Sequence, residues 1–185
     1  MKGGRWSRGG TYMRSPPDGG SPQGTSTPVP PSPLSVTVAD EAAVGSLARR
    51  LAAALPARAV VALAGDLGAG KTTFVKAIAN AVGVDPAAVV SPTFGLIHVH
   101  AVPPRPGGPQ RLVHADFYRL TGCGDLVETG WDDATKGPCW SFVEWPERIA
   151  AALPADRLDV AIRIDSPTGR TFTFTPRGRF DLRGW

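Results

Sequence analysis

Hydrophobic residues in this chain follow two periods. Ala59-Val60-Val61-Ala62-Leu63-Ala64 is apolar without a break, which predicts a strand covered on both faces, as in a parallel sheet. Residues 111–116 and 139–144 predict two more strands, and each run ends on a carboxylate, Asp116 and Glu144. Strict alternation marks a short strand at 35–38. It also marks a half-buried antiparallel hairpin, 157–164 and 171–175, around Ser166-Pro167-Thr168-Gly169. A helical period occurs twice. Val44, Leu47, Ala48, Leu51 and Leu55 share one face of a helix that Asp40 can cap and Pro56 ends. Phe74, Ala77, Ile78 and Ala81 share a face of a second, which stops before Gly83.

The remaining segments are less regular. Residues 95–102 read as a strand, followed by an exposed, mobile Pro/Gly tip over 103–110. Residues 125–135 read as a short helix or loop with a solvated acidic face, and Pro146 as the first position of a short helix to Leu153. This order predicts an α/β fold, a mostly parallel sheet flanked by helices with a C-terminal antiparallel hairpin. Residues 34–185 form one domain.

Composition changes that picture at the ends. Residues 1–33 are rich in Gly, Pro, Ser and Thr, too poor in apolar surface to offset ordering entropy, and predict a disordered tail without a signal or transit segment. Met13 would serve equally as the first residue. No apolar run nears the roughly 18 residues of a membrane span. The net charge of +4 resides in the termini, because residues 36–162 carry eleven basic and thirteen acidic side chains. That distribution is weak support for RNA contact through a terminus and none for a basic groove. Cys123 and Cys139 are two isolated thiols, as expected in a reducing cytoplasm. His98 and His100 face one side of their strand, yet lack the third neighbour that a metal site needs.

The candidate chemistry begins at Gly65-Asp66-Leu67-Gly68-Ala69-Gly70-Lys71-Thr72, which reads G-x-x-x-x-G-K-T between the apolar strand and the second helix. Strand, glycine loop and helix are the context in which this pattern cradles phosphates. The glycines let successive N–H groups converge on an anion, and the helix N-terminus adds unpaired donors. Lys71 supplies a full charge for the β- and γ-phosphates, the Thr72 hydroxyl is placed for Mg²⁺, and Thr73 continues the loop. Ligands of open α/β sheets bind at the carboxyl ends of strands, so Asp116 and Glu144 should share the loop's edge. Both are then candidates to hold Mg²⁺ or orient a water, the step that separates a hydrolase from a binder. Asp116 also reads as a helix N-cap for the segment after its strand.

With Ser91-Pro92-Thr93-Phe94, His114-Ala115-Asp116-Phe117-Tyr118-Arg119-Leu120 and Val143-Glu144-Trp145-Pro146-Glu147 added to the glycine loop, residues 34–175 resemble the TsaE-type ATPases of bacterial tRNA threonylcarbamoyladenosine synthesis. The resemblance implies a small P-loop domain that hydrolyses ATP slowly alone. It implies work in a complex with the threonylcarbamoyl transferase and that enzyme's paralogous partner, which turnover resets or regulates. It further implies Lys71 and Thr72 on phosphate and Mg²⁺, Glu144 on Mg²⁺, and Asp116 in turnover. Thr93 would lie in a γ-phosphate-sensing loop, and Trp145 would serve nucleotide stacking or partner contact. Gly95 and His100 stand where the family commonly has threonine and tyrosine, and the 103–110 loop is extra. Two other readings of the residues stay open, a P-loop small-molecule kinase and a non-catalytic nucleotide- or RNA-binding module. A guanine-reading Asn-Lys-x-Asp is excluded, because Asn80 is the only asparagine.

Overall fold

The computed structural model describes residues 33–182. The tail expected over residues 1–33 lies, Pro33 apart, outside the described residues, as does Arg183.

Seven strands form one sheet: β1 (Leu34–Val38), β2 (Ala59–Ala64), β3 (Ile97–Ala101), β4 (Arg111–Asp116), β5 (Cys139–Glu144), β6 (Arg157–Ile164) and β7 (Arg170–Arg177). Their spatial order is β1-β7-β6-β2-β5-β4-β3. β2 lies at the centre and pairs in parallel with β5 and β6, and β4 pairs in parallel with β5. The ladders towards the edges are antiparallel, β3 on β4, β7 on β6 and β1 on β7. The C-terminal hairpin is therefore part of the sheet, with β6 against β2 on one side and β7 against β1 on the other.

The helices α1 (Glu41–Ala54) and α2 (Lys71–Ala81) cover one face. Asp40 caps α1, its Oδ1 accepting from the Ala43 N–H at 2.8 Å. The core beneath them joins Leu47 and Leu51 of α1, Phe74 and Ile78 of α2, and Val61, Phe142, Val160 and Phe172 of the sheet. Phe74 and Phe172 meet with ring centroids 4.9 Å apart. Shorter pieces cover the other face. Two 3₁₀ turns, Cys123–Thr129 and Pro146–Ala152, and the single-turn helix α3 (Trp131–Ala134) lay Leu126, Trp131 and Ile149 on Val113, Ala115 and Val143. Residues 125–135 are thus more than a solvated acidic face, since Trp131 is buried edge-on to Phe117 at 5.6 Å.

Two other expectations need correction. The third strand begins at Ile97 rather than Gly95, because Leu96 takes a positive φ of 62° that ends any extended run before it. The 103–110 loop is also tied to the body. Val102 N–H donates to Gln110 O and Gln110 N–H to Pro138 O, Pro109 is buried, and the Arg105 guanidinium lies 4.9 Å from the Trp140 ring centroid.

Candidate functional site

The glycine loop joins the central strand β2 to α2, at the carboxyl end of β2 where β6 and β5 flank it. Gly65 is required by a close approach, since a Cβ there would stand 2.5 Å from the Ile162 carbonyl oxygen of β6. Gly70 is the N-cap of α2 at φ 101°, a left-handed conformation that aims the following N–H groups out of the helix end. Asp66 O accepts from the Ala69 N–H, and Leu67 forms the loop's exposed tip. Thr72 and Thr73 fall on the first turn of α2.

Lys71 is buried, with Nζ donating to Gly65 O at 2.8 Å and Asp66 O at 3.0 Å. The same ammonium lies 4.3 Å from the centroid of the Trp145 ring. Trp145 follows β5 at φ 57°, and this left-handed turn lays its ring against Tyr118, 4.9 Å between centroids. An aromatic face under a partly desolvated ammonium holds it by cation–π attraction.

Glu144, only 4% exposed, binds the loop to the sheet. Its Oε1 accepts from the Thr72 hydroxyl at 2.7 Å, and the His114 Nε2 lies 2.9 Å from the same oxygen. A carboxylate oxygen can only accept, so Nε2 carries the proton of that bond. His114 is fully buried, and its Nδ1 has no partner among the described residues. Because the Thr72 O–H is directed at Glu144, the hydroxyl lone pairs remain available for a cation.

Asp116 is the register partner of Glu144 on the neighbouring strand, so both acids stand side by side at the carboxyl edge of the sheet. Its hydrogen bonds run elsewhere. Oδ2 accepts from Thr93 Oγ1 at 2.6 Å and Ser91 Oγ at 3.0 Å, and Oδ1 accepts from the Tyr118 N–H at 3.1 Å. One oxygen caps the turn after β4, where no helix follows, and the other holds the 91–94 segment. Phe94 beside it is 84% exposed and carries the Arg119 guanidinium on its ring.

The residues singled out from the sequence thus converge on one sheet edge: the loop 65–73, Asp116, Glu144 and Trp145, with Thr93 joined through Asp116. His114 was missed as a site residue. Its signal was the period of two, which places it on the same face of β4 as Asp116. That period also brings it level with His98 across the β3–β4 ladder, yet no group of three potential metal ligands forms among the described residues. The hairpin's positive charge is largely met within the chain, as Arg163 pairs with Asp165, Arg177 with Asp159 and Arg179 with Asp156. Arg170 instead donates from Nε to Ala69 O of the glycine loop at 3.0 Å.

This arrangement has relatives. A protein described as "tRNA threonylcarbamoyladenosine biosynthesis protein TsaE" from Streptomyces coelicolor is 42% identical over 125 residues, covering 68% of this chain and 80% of that one. A protein of the same description from Treponema pallidum is 34% identical over 76% of this chain and 96% of its own length. Among solved structures, Bacillus subtilis YdiB superposes with a TM-score of 0.63 at 30% identity, covering 80% of this chain and 87% of that one. The family model described as "Threonylcarbamoyl adenosine biosynthesis protein TsaE" matches residues 38–172, from the end of β1 into β7, and the chain belongs to the TsaE family.

Proposed function

We propose that this protein is a Mg²⁺-dependent ATP hydrolase of the machinery that makes threonylcarbamoyladenosine in tRNA. It works in the cytoplasm with the threonylcarbamoyl transferase and that transferase's paralogous partner, and turnover resets or regulates their complex. The observation that carries this reading is the Thr72–Glu144 hydrogen bond, which joins the glycine loop to the acid-tipped neighbouring strand.

The donor set suits the cation. Hydroxyl and carboxylate oxygens are hard ligands, as Mg²⁺ prefers. Thr72 would ligate it directly, and Glu144 and Asp116 would hold it or its waters. Bound there, Mg²⁺ would neutralise charge on the β- and γ-phosphates. The loop N–H groups of residues 65–73 bind the phosphates, while Lys71 exchanges its two carbonyl partners for phosphate oxygens without leaving the Trp145 face. Asp116 orients the attacking water. Its oxygens are already engaged by Ser91, Thr93 and Tyr118, so that role requires the 91–94 segment to shift, and turnover without partners should be slow. The exposed Phe94 gives the transferase complex a handle on that segment.

Lys71→Ala should abolish ATP binding, which isothermal titration would report. Glu144→Gln and Asp116→Asn should bind ATP but turn it over about a hundredfold more slowly. Adding the transferase and its paralogue should form a complex and raise the wild-type rate. Unchanged hydrolysis in both acid variants, or a rate and an elution profile indifferent to the transferase, removes the assignment.

A further inference from the structure

Residues 91–94 hold a second charged group besides Asp116. Arg119, three residues further on the turn after β4, lies with its guanidinium 4.3 Å from the centroid of the Phe94 ring. Both side chains are exposed, and Arg119 has no carboxylate partner among the described residues. Resting on the reading that this site hydrolyses ATP, we infer that Arg119 is a catalytic residue parked on Phe94. The shift of residues 91–94 that frees Asp116 also releases its guanidinium to the γ-phosphate.

Tethering is the first argument. Ser91 and Thr93 donate to Asp116 Oδ2 at 3.0 and 2.6 Å, and Phe94, the next residue, carries Arg119. One short segment thus restrains an acid and a cation together, so a movement that unseats one unseats the other. An exposed cation–π contact is weak beside the charge-assisted, forked pair that a guanidinium makes with phosphate. A bound γ-phosphate therefore outcompetes the Phe94 ring once the guanidinium can reach it.

Position and charge are the second argument. Tyr118, which precedes Arg119, lays its ring 4.9 Å from that of Trp145, and Trp145 faces the Lys71 ammonium at 4.3 Å. β4 adjoins β5 with Asp116 opposite Glu144, so Arg119 leaves the sheet on the Glu144 side of the phosphate loop. Lys71 is the one buried cation among the described residues, and two buried carboxylates stand near it. Arg170 is held by the carbonyls of Ala69, Ser166 and Gly169, and Arg163 by Asp165. In the transfer, a water oxygen bonds to the γ-phosphorus as the bond to the β–γ bridging oxygen breaks. The electron pair stays on ADP, and the water proton ends on the released phosphate. Arg119 exchanges no proton, and its N–H fork holds the equatorial oxygens on which charge spreads.

ADP with aluminium fluoride copies the phosphoryl group in flight, whereas adenylyl imidodiphosphate copies bound ATP. By titration calorimetry with Mg²⁺, Arg119→Ala should lose about a hundredfold in affinity for the first and stay within about threefold for the second. Its kcat should fall about a hundredfold with KM within about threefold, and added guanidinium should restore part of that kcat. Arg148→Ala, on the neighbouring turn, should match the wild type. Phe94→Leu should raise the rate of the chain alone about threefold, and not in the Arg119→Ala background. An Arg119→Ala protein with wild-type kcat, or one that loses both ligands equally, overturns the inference and leaves Arg119 as a surface companion of Phe94. A Phe94→Leu rate that is unchanged, or raised equally without Arg119, overturns the parking. Should the wild type not bind ADP with aluminium fluoride, kcat and its rescue by guanidinium decide alone. A wild type that binds adenylyl imidodiphosphate yet hydrolyses no ATP, with or without the transferase complex, overturns the underlying reading instead.

Discussion

His114 offers the most discriminating perturbation, because it touches the site only through Glu144. Its Nε2 and the Thr72 hydroxyl converge on one carboxylate oxygen, at 2.9 and 2.7 Å, in a position closed to solvent. Replacing His114 by Leu removes one of these two donors from a buried acid that water cannot easily serve. Hydrogen bonds to charged groups contribute about 1.5–3 kcal/mol each, and the loss of one here should lie in that range. If the loss falls on the ability of Glu144 to hold Thr72 and the cation, it corresponds to roughly a ten- to hundredfold higher Mg²⁺ requirement. The assay is ATP turnover against Mg²⁺ concentration, with urea unfolding in parallel. His114→Gln, which keeps an N–H donor, should recover part of the Mg²⁺ dependence. A Leu variant that is less stable yet shows the wild-type Mg²⁺ curve would refute the reasoning and leave His114 as packing.

Two further outcomes concern the body of the fold. Phe74 is fully buried on the loop's own helix and packs on Phe172, so Phe74→Ala should cost about 3–5 kcal/mol in urea unfolding, and a cost under about 1 kcal/mol would contradict the packing described. Burial holds the His100 imidazole below its ordinary value of 6.5, and repulsion from His114 and His98 adds to this. The folded chain therefore resists a proton that the unfolded chain accepts. Stability should be full above the ordinary value and fall as pH drops from there towards the depressed one. His100→Gln should flatten that part of a plot of urea midpoint against pH, and an unaltered slope would reject the assignment.

What the sequence disclosed was local. Strand β2, the glycine loop and α2 are contiguous, and their apolar periods name both elements and faces. The runs ending in Asp116 and Glu144 likewise place both acids at strand ends, because a parallel strand buried on both faces stops where a charge appears. Partnership was hidden. Nothing in residues 34–38 tells that they pair with β7, whose Phe174 lies opposite Leu34. The bond from Arg170 to Ala69 spans 101 residues, and a cluster of C-terminal arginines reads as free charge until their aspartates are found in space. His114 was hidden for a related reason, since an imidazole inside an apolar strand looks like core until the carboxylate of the next strand is set beside it. Leu96 shows the limit at the backbone level, where a positive φ at a leucine carries no compositional warning.

The side-by-side placement of Asp116 and Glu144 makes the chemistry hostage to chain length. Adding one residue inside β4 would turn its side chains over, since a strand presents alternate residues to opposite faces. Asp116 would then point among Phe117, Val143 and Ile149 on the far side of the sheet, and Thr93 would lose its anchor. The exposed tip of the hairpin between Ala101 and Arg111, at Pro106 and Gly107, is a different matter, because extra residues there cost only the slowly growing entropy of closing a longer loop. Length variation in such proteins should accordingly collect in that hairpin, with β4 and β5 kept to an invariant count of residues.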